Sequence, residues 1–143
     1  LAVCLGHQAL CHNLGIPLTY KDIVFQGTQS SVMLNGRPER VGFYNTFAAS
    51  SADEVLDLPD IGAVEVCRDP VTHQVHALRG PHFASIQFHA ESVLTQDGPA
   101  IIGSLLTGLL PVLHRPRQRV GVESVTGGGV PRPHLRGLPR PPV

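Results

Sequence analysis

The stretch Leu1-Ala2-Val3-Cys4-Leu5-Gly6-His7-Gln8 decides how this chain folds. Its first three residues form an apolar run of strand type, and Cys4-Leu5-Gly6 turns into a helix expected from about His7 to Leu14. Ala9, Leu10 and Leu14 supply the apolar face of that helix, and Gly15 followed by Pro17 stops it. A reactive residue flanked two positions away by the small residues Ala2 and Gly6 meets the requirement of a nucleophile elbow, with Cys in place of Ser. Small neighbours let the backbone turn sharply from strand to helix and leave room for substrate beside the sulfur. The following helix is expected to place its positive end near Cys4 and favour the thiolate. It also positions the amide N–H of Leu5 to help hold a developing oxyanion. The plain alternative is a small buried cysteine at a strand end, a common fate of free Cys. A metal site built from Cys4, His7, Cys11 and His12 is disfavoured. His7 and Cys11 share a helix face, but Cys4 precedes the helix, His12 points elsewhere, and no second ligand pair of zinc-finger spacing follows.

Further along, Tyr20 to Phe25 and Ser31 to Leu34 read as short strands, with Asn35-Gly36 a hairpin turn. Val41 to Phe47 is another extended segment, and the polar, turn-rich Asp53 to Pro59 reads as a surface loop. Ala63 to Cys67 and Gln74 to Leu78 alternate as strands joined through Asp69-Pro70, and are expected to pair as an antiparallel hairpin. Phe83 to Phe88 is a further strand with Ala84, Ile86 and Phe88 on one face, and Pro99 to Leu110 makes an apolar helix with proline in its first turn. Strand, helix, a run of strands and a final helix fit an α/β domain whose sheet is entered partway through. Leu1-Ala2-Val3 reads as the end of a buried strand already under way, so the sequence is expected to be a fragment.

A second constellation follows the strand that ends at Phe88. In His89-Ala90-Glu91 an imidazole and a carboxylate stand two positions apart, and in extended backbone such residues project to the same side. The imidazole could take a proton from Cys4 while the carboxylate orients it. Alone, the pair reads as readily as a surface His beside a surface Glu; with an elbow upstream, the catalytic reading gains. The remaining histidines, His12, His73, His76, His82, His114 and His134, show no spacing that demands a ligand role.

Composition supports one ordinary domain. The 143 residues are 42% hydrophobic and 15% charged, which suits a globular core. The balanced formal charge hides an asymmetry: residues 1–110 carry five Lys/Arg against ten Asp/Glu, whereas residues 111–143 carry six Arg against one Glu. The latter segment also holds seven Pro and five Gly without hydrophobic periodicity, so it is expected to be a disordered tail. Arginine without interleaved aromatics makes a poor nucleic-acid arm. Three cysteines, an odd number without a secretory signal, argue against a disulfide framework and for a reducing cytoplasm. The longest apolar stretch, Ala100 to Leu113, is interrupted and shorter than the roughly 20 residues of a membrane span.

Cys4-Leu5-Gly6-His7-Gln8 and Gln87-Phe88-His89-Ala90-Glu91-Ser92 resemble, in order and separation, the two signature motifs of class I (triad) glutamine amidotransferases. Residues 20–29, 41–47 and 88–95 are similar to the anthranilate synthase branch, and within it to fused, phenazine-type enzymes in which a chorismate-converting domain precedes the amidotransferase domain. The resemblance covers about residues 1–110 and implies a three-layer, flavodoxin-like domain with a mixed, mainly parallel sheet whose N-terminal strands are missing. It implies that Cys4 forms a γ-glutamyl thioester, that His89 is general base and acid, and that Glu91 orients His89. Gln8 would help fix glutamine, and the backbone of Thr46 and Phe47 would hold its amino-acid end. The implied reaction hydrolyses L-glutamine and passes shielded ammonia to a chorismate-converting partner, making anthranilate or aminodeoxyisochorismate. No metal or cofactor is expected in this domain; Mg²⁺ is expected in the partner. Family members carry, before the nucleophile, several strands and a Gly/Pro-rich loop that completes the oxyanion hole. Neither precedes Cys4 here, so the isolated chain is expected to be poorly stable and nearly inactive. A free-standing γ-glutamyl hydrolase and a non-catalytic, decayed fragment are the competing readings.

Overall fold

The computed structural model describes residues 1–113. A five-stranded sheet runs in the order β1 (Ala2–Val3), β9 (Ala84–Ile86), β8 (Val75–Arg79), β7 (Gly62–Arg68), β6 (Val55–Leu58). In it β1 and β9 are parallel, whereas β9 with β8, β8 with β7 and β7 with β6 are antiparallel. The sheet is therefore mixed, as expected, but among the described residues it is mainly antiparallel rather than mainly parallel. The reason lies in the connections: β6, β7 and β8 follow one another through short turns, which can only join antiparallel neighbours.

Each face of the sheet is covered. Helix α1 (Leu5–Asn13) lies on one side, where Cys11 and Ile16 pack with Val64, Val66 and Leu78. On the other side lie the β3 (Thr28–Leu34)/β4 (Arg37–Phe43) hairpin and helix α2 (Gly98–Leu113). There Ala84, Ile86 and Phe88 meet Val32, Val41, Phe43, Ile101 and Leu105, so β9 presents the apolar face its alternation promised. Burying Ile86 and Phe88 completely contributes roughly 1.5–3 kcal/mol each. The Asn35-Gly36 turn forms with both residues at positive φ (51° and 74°), as a tight hairpin requires. The pairing of Ala63–Cys67 with Gln74–Leu78 is the observed β7/β8 hairpin.

Several boundaries differ from the sequence reading. Helix α1 starts at Leu5 and ends at Asn13. The expected strand Tyr20–Phe25 is replaced by β2 (Leu18–Tyr20), which pairs with β5 (Phe47–Ala49), followed by bends. The amides of Lys21 and Phe25 bond to Thr46 and Asn45 carbonyls, and the Lys21 ammonium lies 3.3 Å from the centre of the Phe25 ring, so the chain curls instead of extending. The segment Val41–Phe47 is split between β4 and β5. Asp53–Pro59 is not a loop throughout, because it contains β6. There Leu56 and Leu58 turn inward while Val55 and Asp57 face solvent, an alternation masked in sequence by flanking acids. Helix α2 extends to Leu113, three residues beyond the expected domain end, and its Ile101 and Leu105 face the core. The remainder of the expected tail lies outside the described residues. No described helix is long and apolar enough to cross a membrane.

Candidate active site

The register of β1 against β9 positions the site. Ala2 lies opposite Ser85 and Val3 opposite Ile86, and the Cys4 amide donates to the Ile86 carbonyl at 2.8 Å. Two parallel strands thus end together at one sheet edge, where Cys4 leaves the first and Gln87-Phe88-His89 leaves the second. Cys4 adopts φ 50° and ψ −104°, a conformation that L-residues rarely take, and the first helical bond, from the Gln8 amide to the Cys4 carbonyl, closes directly behind it at 3.0 Å. The elbow read from Ala2 and Gly6 is present: a Cβ built on Gly6 would already touch the Ala2 Cβ at 3.4 Å.

The electrostatics of Cys4 correct one expectation. Its thiol is pushed up above the ordinary value, chiefly by burial. The Leu5 amide N–H opposes that rise, the Glu91 carboxylate adds to it, and the Gln87 amide opposes it. Burial outweighs the helix N-terminus, so the expected bias toward thiolate is reversed in favour of the thiol.

The candidate base lies on the chain that continues from β9. His89 Nδ1 donates to Glu91 Oε1 at 2.6 Å, which leaves Nε2 free to accept a proton. That bond is the main reason the Glu91 carboxyl is held below its usual range, with its own backbone amide assisting. The turn carrying the pair is fixed on several sides. The His89 amide donates to the Gly42 carbonyl at 2.9 Å, and the His89 carbonyl accepts the Thr95 hydroxyl at 2.6 Å. Gly42 is required at that point, because a Cβ there would lie 2.8 Å from the Leu94 Cβ and 3.0 Å from the Ser92 hydroxyl. The Tyr44 ring meets the His89 ring edge-on at 5.4 Å, its hydroxyl 3.1 Å from that of Ser92.

Gln8 reaches the same place from α1. Its Nε2 donates to the Phe47 carbonyl at 3.0 Å and to Gln87 Oε1 at 3.1 Å, and Gln87 Nε2 lies 3.6 Å from the Cys4 sulfur. Cys4, Gln8 and Phe47 are therefore joined, and Thr46 sits beside them with its carbonyl taken by the Lys21 amide. Asn45 Nδ2 also donates to the Phe47 carbonyl at 2.7 Å, while its buried Oδ1 has no partner among the described residues. Gln87, Asn45 and Tyr44 had no distinct role in the sequence reading, because their significance depends on strands far apart in the chain. His7 and Cys11 do share a helix face, but His7 Nδ1 is engaged by the Ser85 hydroxyl at 2.8 Å, tying α1 to β9. Among the described residues no group of three or more His, Cys, Asp or Glu is placed to hold a metal ion.

Comparison with known proteins agrees with this arrangement. Residues 1–107 match the family described as glutamine amidotransferase class-I. The phenazine-specific anthranilate synthase of Pseudomonas chlororaphis is 58% identical over 116 residues, covering 81% of this chain and 18% of that protein. Anthranilate synthase component II of Haloarcula marismortui is 33% identical over 117 residues, 76% of this chain and 60% of the relative. The chain thus spans less than a fifth of the length of its phenazine-specific relative. In fold, it is similar to a GMP synthase-type protein solved from Thermoplasma acidophilum, with a TM-score of 0.55 at 20% identity over 78% of this chain and 57% of the other. With three quarters of its length matched to one family and the elbow and its facing strand in place, the chain belongs to the class I glutamine amidotransferases.

Proposed function

We propose that this domain hydrolyses the side-chain amide of glutamine and delivers the ammonia to a chorismate-converting domain, as part of an anthranilate synthase-like enzyme. The observation that carries the reading is the pairing of β1 with β9: a strained cysteine at a strand-to-helix elbow leaves one strand, and the continuation of its parallel neighbour carries a His–Glu pair.

In this reading His89 Nε2 takes the Cys4 proton as the sulfur attacks the amide carbon. The Leu5 N–H meets the developing oxyanion. Glu91 holds the imidazole in the tautomer that can accept and stabilises it once charged. Collapse of the intermediate breaks the carbon–nitrogen bond, His89 returns the proton, and ammonia leaves behind a γ-glutamyl thioester. A water molecule, deprotonated by His89, attacks the thioester; glutamate departs and the thiol is restored. The raised pKa of Cys4 suits this scheme, because the proton moves only when the base is in place. Gln8 and the backbone of Thr46 and Phe47 bind the amino-acid end of the substrate.

The relatives named for anthranilate synthase support a chorismate-converting partner. A synthase domain in the same polypeptide, with its own Mg²⁺, receives the ammonia and forms anthranilate or aminodeoxyisochorismate. The test is capture by a diazoketone analogue of glutamine, read by mass spectrometry. A single adduct on the Cys4 peptide, absent in Cys4→Ala, is expected; an adduct that survives the substitution excludes Cys4 as nucleophile.

A further inference from the structure

We infer that Gln87 is a positioning residue for Cys4, and that a relay from the Phe47 carbonyl through Gln8 and Gln87 fixes an N–H donor on the sulfur. The inference rests on the reading of Cys4 as nucleophile and adds to it a control on that nucleophile.

An amide side chain can sit either way round, so its orientation has to be argued from its partners. The Phe47 carbonyl can only accept. It takes Asn45 Nδ2 at 2.7 Å and Gln8 Nε2 at 3.0 Å, so Gln8 must present its amino group there. The same Nε2 points at Gln87 at 3.1 Å, which obliges Gln87 to present Oε1. What remains for the sulfur, at 3.6 Å, is Gln87 Nε2. Turning Gln87 alone would set two amino groups face to face. Turning Gln8 as well would set its oxygen against the Phe47 oxygen. A backbone carbonyl three links away therefore dictates that Cys4 faces a donor and not a lone pair.

That polarity matters because an N–H donor favours sulfur as an anion over sulfur as a thiol. Gln87 is 1% exposed, so water does not compete for the bond. Its backbone is held as well, the amide donating to the His76 carbonyl at 2.8 Å. Gln87 directly follows β9 and precedes Phe88-His89, so the segment that brings the base also brings the donor for the ion the base creates. Phe47, by contrast, is half exposed at the start of β5. A shift of its carbonyl would free Gln8 to turn, and then Gln87, so the acidity of Cys4 is tied to the position of that segment.

The experiment is the pH dependence of iodoacetamide alkylation at Cys4 in the full chain, followed on its own peptide by mass spectrometry. Wild type, Gln87→Leu, Gln8→Leu and the double variant are compared. Cys11 and Cys67, pushed up by burial to about 12 and about 11, react on peptides of their own. Gln87→Leu is expected to move the midpoint up by about one pH unit and slow labelling at neutral pH about tenfold. Gln8→Leu, which does not touch the sulfur, is expected to slow it by a smaller factor and to add nothing in the Gln87→Leu background, since both act through one bond. An unmoved midpoint in Gln87→Leu, or additive effects of the two changes, overturns the relay. The diazoketone capture is scored separately: its failure on wild type with the midpoint shift intact removes the glutaminase reading and leaves the relay standing.

Discussion

Gly98, the first residue of α2, packs directly on the carbonyl of Ala90, in the middle of the His89-Ala90-Glu91 turn; a Cβ built on Gly98 would overlap that oxygen. The start of the last helix thus acts as a floor beneath the turn that carries His89 and Glu91. Gly98→Ala is expected to destabilise the domain by about 1–3 kcal/mol, since neither a helix start nor a backbone carbonyl yields cheaply. Chemical denaturation of wild type and variant measures it. An unchanged midpoint would show that the turn moves freely.

Cys4 holds a backbone conformation that costs energy, φ 50° with ψ −104°. Glycine adopts such angles without the Cβ penalty. Cys4→Gly is therefore expected to stabilise the domain by about 1–2 kcal/mol while abolishing capture of the glutamine analogue. Thermal unfolding gives the first result and mass spectrometry the second. A loss of stability would mean that the elbow is not strained.

In the proposed scheme Glu91 acts through His89, to which it is bonded at 2.6 Å, and not on substrate. Glu91→Gln keeps the shape but lets the imidazole turn or take the wrong tautomer, and capture by the diazoketone at neutral pH is expected to slow by roughly 10²-fold or more. Folding should hardly change, because the carboxylate is largely exposed. A rate equal to that of wild type would assign Glu91 to the surface.

Acid should loosen the fold through two histidines. Burial holds His7 and His76 at about 4, below the ordinary 6.5. The unfolded chain therefore binds their protons first as pH falls. Their contribution is complete above about pH 6.5 and is lost as the pH drops toward 4, by up to about 3 kcal/mol for each. The unfolding temperature is expected to fall through that window. His7→Asn, which can keep a bond to Ser85, should reduce the slope by about half. An identical slope would point to other groups.

Much of this was legible in the chain. The elbow follows from Cys4 between Ala2 and Gly6, the hairpin turn from Asn35-Gly36, and the buried face of β9 from the alternation of Ala84, Ile86 and Phe88. Each is a local rule, in which a few neighbouring side chains settle the backbone. The sequence also singled out Cys4, His89, Glu91, Gln8, Thr46 and Phe47, of which the structure links Cys4, Gln8 and Phe47 through Gln87 and bonds His89 to Glu91. Tertiary structure alone could decide that β1 and β9 lie side by side in parallel, because strand pairing over some eighty residues leaves no local mark. From that pairing came the direction of the Cys4 shift, since burial depends on what covers the sulfur and not on the helix that follows it. From it too came the place of Gln87, a residue whose chemistry is ordinary until the Phe47 carbonyl, distant in the chain, fixes which way its amide must face.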